Sequence, residues 1–472
     1  MSKTLLHIEI LLSKQQYFHL NSSQSQEHNL KNAFIHQFLQ YLHSKFPIIP
    51  AREIPNEALK VSSEQESTDV ALLSHIHRIS TSNSKPLKFS QAQFKVYLYT
   101  LNDEEAYEEY AGDDEQVQAC QQFMLPSKQF EHLWENLIYD ANDELKLQLL
   151  RYVETTMLFS DCGINNKVIG WNRVCLFHGP PGTGKTTLSQ ALAQKLSIRM
   201  QHRYPHGGQL IEINAHSLFS KYFSESGKLV MKLFGRIREM IEDEDSFVCV
   251  LIDEVESLTA ARKSALSGNE PSDSIRVVNA VLTQIDNLRQ QKNVLIVCTS
   301  NITEAIDVAF VDRADIKQYI GLPSEHARYQ ILKSCVEELI RCKIVAPAQE
   351  LPDYDDHVTS TSGTTQGDFA NGAVSQGDVG TGGDTEDDDN QMVQDDNKDS
   401  CSAPLTHHGI REKLLQAAQL AQGLSGRSLR KIPFLAHSFY VNQPQVSVGE
   451  FLEALKKAVQ AEQVRRSQMN EA

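Results

Sequence analysis

Gly179-Pro-Pro-Gly-Thr-Gly-Lys-Thr186 carries the most evident chemistry in the 472-residue chain, because it satisfies GxxxxGK[ST] at every position. Its small residues Gly179, Pro180, Pro181, Gly182, Thr183 and Gly184 let consecutive backbone N–H groups curl around phosphate oxygens. A helix starting there would turn its positive end toward their charge. Lys185 suits the β- and γ-phosphates of ATP, and Thr186 suits Mg2+. A glycine-rich turn can arise by chance, but here the apolar run VCLF precedes it and a helical pattern follows.

FVCVLIDE, Phe247 to Glu254, is a wholly apolar run ending in two acids. A buried parallel strand would present both to the phosphates, Asp253 for Mg2+ and Glu254 for the attacking water. Capping of a following helix is the plainer alternative. NVLIVCTSN ends in Asn301, a neutral group able to hold the lytic water beside the γ-phosphate, although asparagines are also common in turns.

These motifs resemble those of the AAA+ ATPases over roughly Val168 to Ala436. The resemblance implies a Walker A loop at Gly179–Thr186, Walker B acids at Asp253 and Glu254, and sensor 1 at Asn301. It also implies a homo-hexameric ring in which a neighbour's arginine completes each site. Arg313, in AFVDRADIKQYIGLPS, is the candidate, with an ion pair to Asp312 or Asp315 in its own subunit left open. GLSGRSLRK resembles the sensor 2 element and brings Arg427 toward the γ-phosphate.

In SKYFSESGK the adjacent aromatics Tyr222 and Phe223 fit neither a helical stripe nor an alternating strand. In a ring of this family they would line the central channel and grip a polypeptide through apolar contact, with core packing as the alternative. WNRVCLFHGPPGTGKT, LIDEVESLTAARKSALSGNEPSDSIRVVNA and GLSGRSLRKIPFLAH resemble a branch of the family that remodels HORMA-domain proteins. That resemblance implies a HORMA-like adaptor, an N-terminal domain that receives substrate, and work in spindle-checkpoint silencing and meiotic chromosome-axis control. It implies residence in nucleus and cytoplasm, with chromosome association in meiosis.

Such a site needs strands alternating with helices, and from Val174 the apolar runs VCLF, LIEI, FVCVLID, VLIVCTS and KQYI are separated by helical stretches. The expected fold is therefore α/β, an AAA+ P-loop doubly wound parallel sheet with a C-terminal helical lid and a small N-terminal α+β domain. The expected boundaries are 1–105 for the N-terminal domain, 106–165 for a linker and helices, 166–322 for the ATPase domain and 323–472 for the lid. Acidic Asn102 to Gln116 reads as linker. Family position suggests the adenine pocket at Ile164–Ile169.

Composition narrows the partners. The net charge is −16, of which −13 falls between Glu350 and Ser400, so residues 350–405 read as a disordered acidic insertion poor in apolar side chains. No basic domain argues for direct nucleic-acid binding. No apolar run reaches membrane-spanning length, and the N-terminus lacks a signal-peptide cleavage pattern. The eight cysteines are scattered without a CxxC pair, as in reduced cytosolic or nuclear proteins, and indicate no metal centre. Two rival readings remain, a nucleotide-gated scaffold that does not turn over and a DNA-dependent AAA+ loader. Glu254 speaks against the first and the missing basic domain against the second.

Overall fold

The computed structural model describes residues 3–21, 27–51, 53–54, 75–83, 86–110, 118–139, 144–215, 226–258, 273–301, 306, 308–355 and 406–471. Its central sheet runs in the order Ile316–Tyr319, Val174–His178, Val294–Ser300, Phe247–Asp253, Gly208–Asn214, Gln118–Leu125 and Tyr107–Tyr110. The first five strands are parallel neighbours, and their carboxyl ends share one edge. Phe247–Asp253 and Val294–Ser300 are apolar nearly throughout because helices cover both of their faces. Val248, Val250 and Ile252 face Phe234, Ile237, Val278 and Val281, whereas Cys249 and Leu251 face Leu188, Leu192 and Leu196 of the helix Lys185–Arg199. Period-two alternation thus divides one strand between two cores.

The last two strands correct the linker reading. Tyr107–Tyr110 lies within the stretch expected to be linker, yet it pairs antiparallel with Gln118–Leu125, which pairs antiparallel with Gly208–Asn214. The sheet is mixed at this edge. Its acidic sequence is compatible with an outermost strand, where charge discourages pairing with another chain.

The N-terminal domain carries a separate four-stranded sheet in the order Glu53–Ile54, Ile76–Thr81, Thr4–Leu12, Ala92–Tyr99. Leu6, Ile8, Ile10 and Leu12 of one strand face Phe34, Phe38 and Leu42 of the helix Glu27–Lys45. The alternate residue Leu11 instead joins Tyr97, Tyr99 and Ile198 in a small cluster beside the helix Lys185–Arg199. This domain and the central sheet belong to one compact unit, Met1–Leu332 together with Ala421–Ile432.

Lys333–Leu420 and Pro433–Ala472 form a second unit. In it the helix His407–Leu420 packs on Val448–Glu471, and Val345–Ala346 pairs with Val446–Ser447. The division between the two units falls inside the helix Gly426–Ala436, so that Ala421–Ile432, with Arg427, is counted with the unit that holds the ATPase domain. The expected insertion also begins too early at 350, since Leu351 is buried and Asp353 pairs with Lys333. Residues 356–405 lie outside the described residues. Among the described residues no helix is long and apolar enough to cross a membrane.

Candidate nucleotide site

The loop after Val174–His178 must turn sharply beneath the sheet edge, and its glycines permit this. Gly182 has φ +76°, and a Cβ there would lie 2.8 Å from Ser425 Oγ. Gly184 has φ +91°, where a Cβ would meet the Tyr139 hydroxyl at 3.2 Å. Both dihedrals favour glycine, and both positions have neighbours where a side chain would start. The helix Lys185–Arg199 begins directly behind this cradle. Lys185 Nζ donates to the carbonyls of Gly179 and Pro180 at 2.9 and 2.8 Å, and the Thr183 hydroxyl donates to Pro180 at 3.0 Å.

Asp253 ends its strand beside Thr186, whose hydroxyl donates to both carboxylate oxygens at 3.0 and 3.2 Å. Thr299 also donates to Asp253 Oδ1. Hydroxyl and carboxylate oxygens form the hard donor set that suits Mg2+. Glu254 follows at φ +58°, with its side chain exposed. Its N–H donates to Thr299 Oγ1 at 3.2 Å, and its Oε1 accepts from Asn301 Nδ2 at 3.4 Å. Neighbouring parallel strands thus bring Asp253, Glu254 and Asn301 together from positions almost fifty residues apart. Burial of the Lys185 ammonium holds its pKa below the ordinary lysine range, against the opposing fields of Glu256, Asp253 and Glu254.

Arg427 reaches the same place. Its backbone N–H donates to Gly182 O at 3.0 Å. Arg427 lines a cavity of about 410 Å3 with Gly182, Thr183, Gly184 and Thr187 on one side and Leu133, Leu137, Ile138 and Tyr139 on another. A mostly apolar wall against a glycine cradle matches a nucleotide, with base and phosphates at opposite ends. The stretch Ile164–Ile169, expected from family position to hold the adenine, does not line this cavity, and Val168 is 79% exposed. No sequence signal marked Leu133–Tyr139, which lie within 106–165, expected to be a linker and helices.

The role expected of Arg313 lies at a neighbouring subunit's site. Arg313 is engaged by Asp286 of the helix Asp273–Leu288, in a bidentate pair at 3.0 and 2.7 Å. Neither chain neighbour, Asp312 or Asp315, is that partner. Asp315 instead accepts from Tyr152, Asn172 and Arg173. Tyr222 and Phe223 lie outside the described residues. Thr299 and Glu256 were missed; the acid repeat in DEVE was the available signal for Glu256.

Residues 175–322 match the ATPase family associated with various cellular activities (AAA), and 324–375 with 384–463 match the TRIP13-like, AAA+ ATPase lid C-terminal domain. The chain is 45% identical over 414 residues to the Pachytene checkpoint protein 2 homolog of Xenopus tropicalis, covering 86% of each. It is 47% identical over 378 residues to the Homo sapiens homolog, covering 80% of this chain and 78% of that protein. The structure of C. elegans PCH-2 superposes with a TM-score of 0.69 at 32% identity, covering 98% of this chain and 100% of that one. A P-loop and its acids on one sheet edge, with these likenesses over nearly the whole chain, make it an ATPase of the AAA+ class that belongs to the pachytene checkpoint protein 2 family.

Proposed function

We propose that the protein acts as a homo-hexameric ring that uses ATP and Mg2+ to remodel HORMA-domain proteins, delivered with a HORMA-like adaptor. The observation that carries the hydrolytic part is the Asp253–Thr186 and Glu254–Asn301 arrangement at the phosphate cradle. The kinship with pachytene checkpoint proteins supports the substrate class and a working place in nucleus and cytoplasm, on chromosomes in meiosis.

Bound ATP·Mg2+ would supply the phosphoanhydride and the countercharge for its cleavage. Gly179, Pro180, Pro181, Gly182, Thr183 and Gly184 offer backbone to the phosphates, and Lys185 offers its ammonium once it leaves the Gly179 and Pro180 carbonyls. Thr186 and Asp253 would hold the metal. Glu254 accepts a proton from the attacking water, while Asn301 orients that water through its amide. Arg427 faces the cavity as the charge contributed by the sensor 2 element. Tyr222 and Phe223 are assigned to gripping substrate in the channel.

The test measures ATP turnover with a HORMA protein plus adaptor, and separately with DNA. Stimulation by the protein pair supports the reading; stimulation by DNA alone overturns it. Replacing Tyr222 and Phe223 by alanine should preserve basal turnover and melting temperature while abolishing remodelling. A large fall in melting temperature would instead return both rings to the core.

A further inference from the structure

Glu256 stands in the helical turn directly after the Walker B strand, held there by i to i+3 bonds from Ser257 to Glu254 and from Leu258 to Val255. Its Oε1 accepts the backbone N–H of Asn301 at 3.0 Å. Asn301 is therefore tied twice to one short segment, by its amide nitrogen to Glu256 and by its side chain to Glu254. The two contacts cooperate geometrically. Rotation of the Asn301 amide toward or away from Glu254 depends on where its backbone is pinned, and among the described residues Glu256 accepts that N–H.

A carboxylate serving only to brace a loop is most stable when both oxygens are satisfied. Glu256 departs from that rule, since its Oε2 is buried with no hydrogen-bond partner among the described residues. Its charge also acts on Lys185, ahead of Asp253 and Glu254 among the acids that oppose the lowering of the lysine's pKa. Glu256 thus bears both on the end of the sensor 1 strand and on the lysine of the phosphate cradle.

We propose that Glu256 is a positioning residue for ATP hydrolysis, clamping the end of the sensor 1 strand through the Asn301 N–H so that the Asn301 amide and the Glu254 carboxylate address the same water. The inference rests on the assignment of Asn301 as the water-orienting group. Glu256 touches no reacting atom in this scheme. It sets the orientation of a group that does.

The full-length protein carrying Glu256→Ala, Glu256→Gln or Asn301→Ala is compared in steady-state ATP turnover, in equilibrium binding of a fluorescent ATP analogue and in thermal melting. Glu256→Ala should lower kcat about 10-fold or more while the dissociation constant of the analogue stays within about twofold, because the phosphate cradle is untouched. Glu256→Gln keeps an oxygen for the Asn301 N–H and should recover most of that loss. Three results would overturn the proposal: wild-type kcat in Glu256→Ala, weakened nucleotide binding that accounts for its slow turnover, or Glu256→Gln as slow as Glu256→Ala in a protein of unchanged melting temperature. Asn301→Ala separates the two readings. Normal turnover there removes the water-orienting assignment itself, whereas slow turnover there with normal turnover in Glu256→Ala removes only the clamp.

Discussion

The helix Lys185–Arg199 carries a charged cluster at each end, and the two clusters obey different rules. At its far end Lys195 donates to Glu9 at 2.6 Å and to Glu135 at 2.9 Å, while Arg199 Nε donates to the other Glu9 oxygen at 2.8 Å. Glu9, Lys195 and Arg199 are all buried, and the Lys195 ammonium lies 5.8 Å from the Trp134 ring centre. Both oxygens of the central carboxylate have partners. At its near end Lys185 has only carbonyl partners, Glu254 is exposed, and Glu256 keeps an orphan oxygen. The far cluster pairs its charges with one another, whereas the near cluster leaves Glu254 open to solvent and Lys185 on backbone carbonyls, where a ligand can compete for them.

The largest expected effect lies at the structural end. Glu9→Gln leaves buried cations without their counter-charge and should cost about 3–5 kcal/mol, lowering the melting temperature by roughly 10 °C. A melting temperature unchanged within a degree would show that the cluster is solvated and the contrast false. The same cluster predicts acid sensitivity. Burial, the largest single influence, would raise the carboxyl pKa values of Glu9 and Glu135, but the charges and hydrogen bonds of Lys195 and Arg199 at Glu9, and the charges of Lys195 and Arg78 with the Lys195 hydrogen bond at Glu135, together outweigh it. Glu135 falls from 4.5 to about 2. A depressed carboxyl stabilises the fold in full above its ordinary value and loses that contribution as pH falls through the folded one. Stability should therefore drop between about pH 4.5 and pH 2, and chemical denaturation across that window should show a shallower drop in Glu9→Gln.

At the working end the expected pattern reverses. Glu254→Gln should slow turnover at least ~100-fold with ATP binding and melting temperature retained, and Lys185→Ala should lose nucleotide binding itself. Single-turnover kinetics beside a melting curve checks both. Near-normal hydrolysis by Glu254→Gln would remove Glu254 from its role.

Arg313 falls between the two patterns, with a satisfied guanidinium on a half-buried pair. Within its own subunit it is paired like the structural cluster, so Arg313→Ala should cost about 1 kcal/mol of stability. Arg313→Ala subunits mixed into wild-type rings should lower turnover in proportion to dilution. A steeper fall would restore the role across the subunit boundary that its family position implies.

The smallest effect is expected for removal of 356–405, which should shift melting temperature and basal turnover by less than a single core substitution does. This deletion spares buried Leu351 and the Asp353–Lys333 pair. Extending it back to 350 should be measurably worse, because it removes both. Equal stability of the two deletions would show that neither residue packs usefully.

The sequence by itself determined what contiguous residues can do. The phosphate cradle needs small residues, a lysine and a threonine in one unbroken run, so Gly179–Thr186 was legible without any fold. The apolar runs ending in Asp253 and Asn301 were legible too, because a strand covered on both faces excludes polar side chains until it reaches the sheet edge. Only the tertiary structure decided the rest. Arg313 had acids at both sides in sequence but took Asp286, 27 positions away, since the helices and not the chain place a guanidinium beside its carboxylate. Glu9 and Lys195 are separated by 186 positions, and the alternation of the first strand could show which residues share a face but not what covers that face. The cavity wall at Leu133–Tyr139 and the Glu256 bond to Asn301 are likewise products of packing. Local pattern specifies which chemistry a segment offers. The distance between segments, on which every hydrogen bond and ion pair depends, is set by the fold alone.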